Sequence, residues 1–180
     1  KEGGNLTQNQ RIQSVRKVFN FLETEPLLKN LFYAPKLLKV VTEIVNDYPV
    51  YLQDMALLKP AGFGTEKPWH QDCAYYQPSP NVILSAWIAV DESNRGNGCM
   101  RVLPGSHKRL YPHIRTPQAE RFGLFVDSSG FDLSEAIDIE LKAGEFVFFN
   151  ESILHSSTAN RSSFRRLGIT WLLYTIEAAG

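Results

Sequence analysis

After Asp47 the chain stops spacing its apolar residues for helices, and that change limits its fold more than any other feature. The runs that follow, "VYLQDMALLKP", "NVILSAWIAV", "CMRVLP", "AIDIEL", "EFVFFN" and "RLGITWLLYT", are short, rich in β-branched or aromatic residues, and bounded by turn residues. Most are joined without a helical run between them, which argues against alternating βαβ units and for an antiparallel sandwich or barrel. Upstream, Ile12, Val15, Val18, Phe19 and Leu22, then Leu37, Leu38, Val41, Ile44 and Val45, keep helical spacing and predict two or three helices packed outside the sheets. Pro26 and Pro35 fall where helices restart, as Pro in a first turn does. The expected class is mainly β with helices, and no linker divides residues 1–180 into more than one domain.

The connections carry signals of their own. Asn94-Arg95-Gly96-Asn97-Gly98 makes a turn because Asn and Gly tolerate positive φ. Ala143-Gly144 is expected to turn "AIDIEL" back into "EFVFFN" as a hairpin. The stretch from Tyr111 to Ser134, with its prolines, serines and glycines, reads as a long loop over one end, a frequent form for a lid.

Charge narrows the partners. Nineteen basic and nineteen acidic residues cancel, and no basic stripe of the kind nucleic acid requires is present. No apolar run approaches the roughly 18 to 20 residues of a membrane span, and the start "KEGGNLTQNQR" lacks the apolar core of a signal peptide. A cytoplasmic location is therefore expected. Cys73 and Cys99 are too few for a disulfide scaffold and read as small buried thiols. Oligomeric state is left open.

Chemistry concentrates in "KPWHQDCAYY". Residues i and i+2 of an extended strand share a face, so His70 and Asp72 are presented together and Gln71 is turned away. A third candidate is His155, just beyond the apolar strand of "GEFVFFNESILHSS". Converging, His70, Asp72 and His155 make a two-histidine, one-carboxylate set that leaves three positions open on an octahedral non-heme Fe(II). His107 in "LPGSHK" and His113 in "YPHIR" have no carboxylate at strand spacing and read as structural or solvated. Downstream, Arg165 and Arg166 enter the strand "RLGITWLLYT"; alternation lets one of them face inward, and Arg166 shares its side with Gly168 and Thr170, the small and polar set. A guanidinium pointing inward is costly unless it meets a carboxylate, which it grips in two parallel hydrogen bonds.

Taken together, "LLKPAGF", "PWHQDCAYY", "LSAWIAVDESNRGNGCMRVLPGSHK", "KAGEFVFFNESILHSS" and "NRSSFRRLGI" resemble the phytanoyl-CoA dioxygenase family of Fe(II)/2-oxoglutarate-dependent oxygenases, from about Met55 to Tyr174. The resemblance implies a double-stranded β-helix (jelly roll, cupin-like) with N-terminal helices packed on one side. It implies Fe(II) on His70, Asp72 and His155, 2-oxoglutarate as co-substrate, and ascorbate as a further candidate. It pairs Arg166 with the distal carboxylate of 2-oxoglutarate, and places Gln71, Trp87 and Ser157 at co-substrate contacts, with Met55 and, on the short stretch "KVFNF", Lys17 as two more. Ser156 stands where many members have Gly. Asp72 is present, unlike in halogenating relatives, which favours hydroxylation of a small-molecule substrate by dioxygen. Tyr75, Tyr76 and the 111 to 134 loop are placed where substrate could enter, and Lys108, Arg109 and Arg115 raise the idea of a basic rim for a CoA ester. Two other classes stay open: a barrel that binds metal and 2-oxoglutarate without turnover, and a cupin-like isomerase or hydrolase.

Overall fold

The computed structural model describes Thr7, Gln8, Arg11 and residues 14–76, 83–115 and 123–175. Two helices, α1 (Pro26–Phe32) and α2 (Pro35–Val45), each begin on the expected proline, whose missing N–H costs nothing in a first turn. Asn46, in the left-handed region at φ 52°, ends α2. The Ile12 end of the helical pattern lies outside the described residues. Its Val18 end is corrected, because Lys17–Phe19 form a strand, β1. Lys17 pairs with Leu57 and Phe19 with Met55. A few apolar residues fit either period, and pairing with a neighbouring strand decides. Asn20, at φ 56°, then turns the chain, and the Asp54 carboxylate accepts the Phe21 and Leu22 amides, at 3.0 and 2.5 Å.

All six β-type runs form strands. They are β2 (Pro49–Lys59), β4 (Ile83–Ala89), β5 (Met100–Val102), β6 (Ile137–Ile139), β7 (Phe146–Asn150) and β9 (Arg166–Thr175). Two short strands complete the set, β3 (Lys67–His70) and β8 (His155–Ser157). They build two antiparallel sheets, a five-stranded one in the order β1-β2-β9-β4-β7 and a four-stranded one in the order β3-β8-β5-β6.

The expected hairpin at Ala143-Gly144 is corrected by this topology. Gly144 does turn the chain at φ 88°, but β6 lies in the smaller sheet and β7 in the larger, so the turn carries the chain from one sheet to the other. A glycine at positive φ serves either connection, and nothing local tells them apart.

Alternation along β4 and β9 divides the core. Leu84, Ala86 and Ile88 with Ile169, Trp171 and Leu173 face the helices and pack against Phe32 and Val41. The Trp171 indole meets the Phe32 ring edge-on at 5.2 Å, a favoured aromatic geometry. On the opposite face Trp87 and Ala89 pack with Met100, Val102 and Phe149, between the sheets. A third cluster, Trp69, Val126 and Leu154, is covered by Tyr111, Phe131 and Leu133. The expected loop over 111 to 134 is therefore, in its described parts, a packed cover: Ile114 N–H donates to the Phe125 carbonyl at 2.7 Å and Val126 N–H to the Trp69 carbonyl at 2.8 Å. Residues 116–122 lie outside the described residues.

Candidate metal and co-substrate site

The pairing of β3 with β8 sets His70 directly opposite His155, with ring centroids 4.1 Å apart. His155 thus opens a strand of its own. β3 stops at His70, and Asp72 begins a short 3-10 turn (Asp72–Tyr75), which corrects the picture of one continuous strand. The same-side placement still holds because Gln71 between them keeps extended backbone, φ −118° and ψ 133°.

Each imidazole is oriented by its own chain. His70 Nδ1 lies 2.9 Å from the Pro68 carbonyl and His155 Nδ1 3.1 Å from that of Ile153. A carbonyl only accepts, so both Nδ1 atoms carry the proton and both Nε2 atoms present a lone pair. These face one carboxylate: His70 Nε2 is 3.6 Å from Asp72 Oδ1 and His155 Nε2 is 3.8 Å from Asp72 Oδ2. Those separations are too long for hydrogen bonds. The three ligand atoms all lie within 4.8 Å of one another, the spacing of groups around a shared cation.

Burial, with the nearby His155 and Lys67, holds His70 well below its ordinary pKa of 6.5, in the neutral form a metal needs. Below the ordinary value the unfolded chain binds a proton that folded His70 refuses, so stability falls as pH drops. The metal-free chain should lose stability as pH falls below 6.5, and His70→Asn should flatten that dependence in urea unfolding. Equal slopes for the two proteins would remove His70 as its source.

Gln71 departs from its expected co-substrate contact. Its side chain is fully buried and turned from the cavity, donating to the carbonyls of Arg109 and Ser152 at 2.8 and 2.5 Å and accepting Tyr111 N–H at 2.9 Å. Its backbone N–H donates to His113 Nε2 at 2.9 Å. His113 and the carbonyls of Arg109 and Ser152 therefore fix Gln71 between two candidate ligands, the structural role expected of His113.

A cavity of about 490 Å³ opens between the sheets and is lined by His70, Asp72 and His155 together with Arg166, Trp87, Ser157, Met55 and Lys17. Arg166 is 5% exposed. Its Nη1 donates to the Gly98 carbonyl at 2.7 Å, its guanidinium carbon lies 5.4 Å from the centre of the Trp87 ring, and its Nε has no partner. Burial lowers its pKa to about 10, which leaves it a cation at neutral pH. Arg165 points outward to Asp91, Nε to Oδ2 2.9 Å, as alternation requires. The indole of Trp87 lies over Gly168, where any Cβ would collide with it.

Three further basic residues, Arg16, Lys59 and Lys67, line the cavity and escaped the sequence reading. Lys59, 6% exposed and paired across the ladder with Arg166, donates from Nζ to the carbonyls of Thr65 at 2.9 Å, Ser157 at 3.4 Å and Thr158. Burial first, and then the Arg166 charge, lower its pKa to about 7. Counting in twos from Met55 reaches Leu57 and Lys59, so this signal was available. Lys67 is harder to see. The β3–β8 register shifts between Lys67 and His70, and a simple count would put the two on opposite faces.

The remaining candidates lie elsewhere. Lys108, Arg109 and Arg115 do not line the cavity, and Arg109 lies over the Tyr111 ring at 4.5 Å. Tyr76 donates to Gln53 Oε1 at 3.1 Å. Cys73 and Cys99 are buried and form no disulfide. Among the described residues no helix is long and apolar enough to cross a membrane.

Two antiparallel sheets enclosing two histidines, an aspartate and a buried arginine define a protein with a candidate metal and carboxylate site. The family model for phytanoyl-CoA dioxygenase (PhyH) matches residues 3–168, and the chain belongs to that family. It is 30% identical over 182 residues to the phytanoyl-CoA dioxygenase of Arabidopsis thaliana, covering 99% of this chain and 62% of that protein. To the peroxisomal phytanoyl-CoA dioxygenase of Bos taurus it is 32% identical over 176 residues, covering 92% of this chain and 52% of the relative. The chain thus spans less than two thirds of either. Among solved structures its fold is similar to EvdO2 from Micromonospora carbonacea var. aurantiaca complexed with 2-oxoglutarate, with TM-score 0.76, 23% identity, and coverage of 94% of this chain and 71% of that one. EctD from S. alaskensis with 2-oxoglutarate and 5-hydroxyectoine gives TM-score 0.73 and 20% identity over 98% of this chain and 64% of that one.

Proposed function

We propose that residues 1–180 act as one domain, a double-stranded β-helix, that uses non-heme Fe(II) and 2-oxoglutarate to hydroxylate a C–H bond of a small molecule, with decarboxylation of 2-oxoglutarate to succinate. The observation that carries this reading is Arg166, a buried guanidinium with an unpartnered Nε on the same cavity as His70, Asp72 and His155. A buried cation of this kind calls for an anion. The two-nitrogen, one-oxygen donor set fits divalent iron and leaves positions for other ligands.

His70 and His155 would hold the metal through Nε2 and Asp72 through its carboxylate. The bound metal supplies the dioxygen chemistry that couples co-substrate decarboxylation to oxidation of the substrate. The protein contributes position and exclusion of water. Arg166 would hold the distal carboxylate of 2-oxoglutarate, with the Trp87 ring as the wall beside its guanidinium. Thr170, Ser157 and Met55 would complete the lining around the co-substrate, and Lys17 lines the same cavity. The similar folds of EvdO2 and EctD, each solved with 2-oxoglutarate, support the reading.

Anaerobic titration with Fe(II) and then 2-oxoglutarate, followed by visible absorption, tests it. A charge-transfer band is expected for the native chain and should be lost in Asp72→Ala. Iron uptake with no band on adding 2-oxoglutarate would sink the dioxygenase reading.

A further inference from the structure

The two sheets each end in a strand with a single partner, β1 on β2 and β3 on β8, and both of these strands bring basic groups to the cavity. Arg16 and Lys17 come from the β1 side and Lys67 from β3. Lys67 and Lys17 line the same cavity, and burial first, and then the Lys17 charge, lower the Lys67 pKa to about 8. Both charges are also felt at His70.

Lys67 is held in place. Its Nζ lies 3.0 Å from Tyr75 Oη and donates to the Leu124 carbonyl at 3.1 Å, and it stands 5.5 Å from the centre of the Tyr75 ring. Tyr75 Oη is itself fixed, accepting Leu124 N–H at 2.8 Å. A lysine anchored in this way loses little further freedom when it meets a ligand.

The charge balance of the wall points the same way. Arg16, Lys17, Lys59, Lys67 and Arg166 line the cavity against two carboxylates, Glu66 and Asp72. A divalent metal and a dianionic co-substrate cancel each other formally, so the cavity stays cationic with both in place. Like charges gathered in a partly buried space repel and favour an anion between them. Arg166 stands on the central strand of the larger sheet, whereas Lys67 stands on an outer strand of the smaller one and lines the cavity together with Asp72.

Resting on the dioxygenase reading above, we propose that Lys67, supported by Lys17, forms a second anion site in the cavity, which receives a carboxylate or phosphate group carried by the primary substrate. The substrate class is then a compact organic anion whose reacting carbon is held over the metal ligands by its charged end. A neutral substrate of the same shape leaves the cations unmatched and binds more weakly.

The test uses the chain loaded with Mn(II) and saturating 2-oxoglutarate, titrated by calorimetry with hexanoate, hexyl phosphate and hexanamide. One of the two anions is expected to bind at least about tenfold more tightly than the amide, the effect of one well-placed charge-assisted contact. The tighter anion tells whether the group is a carboxylate or a phosphate. Lys67→Met should abolish the preference and Lys67→Arg should keep it. If Lys67→Met does not fold, Tyr75→Phe, which removes the hydroxyl that holds the ammonium, is read in its place and should weaken the preference. Equal binding of the three probes overturns the proposal, as does failure of both anions to bind in the millimolar range or a preference that persists in Lys67→Met. Uptake of 2-oxoglutarate by the native Mn(II) form is measured first. Its absence would count against the dioxygenase reading, whereas its presence without an anion preference would remove the second site alone.

Discussion

Replacing Arg166 by methionine is expected to weaken 2-oxoglutarate binding by about thirtyfold or more, since truncating one partner of a buried hydrogen-bonded charge pair costs roughly 2–5 kcal/mol. The fold should lose much less. Methionine fills similar volume without a buried charge, and apolar replacement of a buried ion is often neutral for stability, although the Gly98 carbonyl loses its donor. Calorimetry with 2-oxoglutarate and thermal unfolding of the metal-free protein separate the two effects. Unchanged binding in Arg166→Met would hand the distal carboxylate to Lys59, the only other basic residue of β2 and β9 among the described residues that line the cavity. Lys59→Met would then become the decisive variant.

The largest loss of stability is expected from Gly168→Ala. A methyl group at this position runs into the six-membered ring and ring nitrogen of Trp87, which is 2% exposed. Trp87 has little space to retreat, being packed with Met100, Val102 and Phe149 and lying 5.4 Å from the Arg166 guanidinium carbon. Overpacking of a rigid core position costs about 3 kcal/mol. The midpoint of urea unfolding should drop accordingly with its slope unchanged. Trp87→Phe should recover part of the loss in the double variant, because a smaller ring makes room for the methyl group. A Gly168→Ala protein of native stability would show that the indole lies elsewhere in solution.

The period-2 pattern carried much of this. It marked six strands, put Gly168 and Thr170 on the side of Arg166, and sent Arg165 to solvent, all from alternation along one segment. The pairing of His70 and Asp72 was also legible, though it depends on one extended residue after the strand has ended. Strands of three or four residues, β1, β3 and β8, carry too few positions to declare a period. Membership of a sheet is a long-range property, which is why the turn at Gly144 looked like a hairpin and why nothing local announced that His155 would stand opposite His70. The burial of Gln71 depends on loop carbonyls at Arg109 and Ser152 that approach it only in the folded chain.

The place of β9 in the larger sheet bears on the order in which the molecule can assemble. β9 is the last strand among the described residues, yet it lies between β2 and β4 and pairs with both along most of its length. Until it arrives, each of those strands exposes an unpaired edge, the kind of surface that recruits other chains. The smaller sheet, which carries His70 and His155, has all its strands earlier in the sequence and can close without β9. Closing the larger sheet means joining Lys59 to Arg166 across most of the chain, a slow step for any polypeptide. His70, Asp72 and His155 can therefore gather while Arg166 is still unplaced, and the final strand completes the sheet and the cavity in one event.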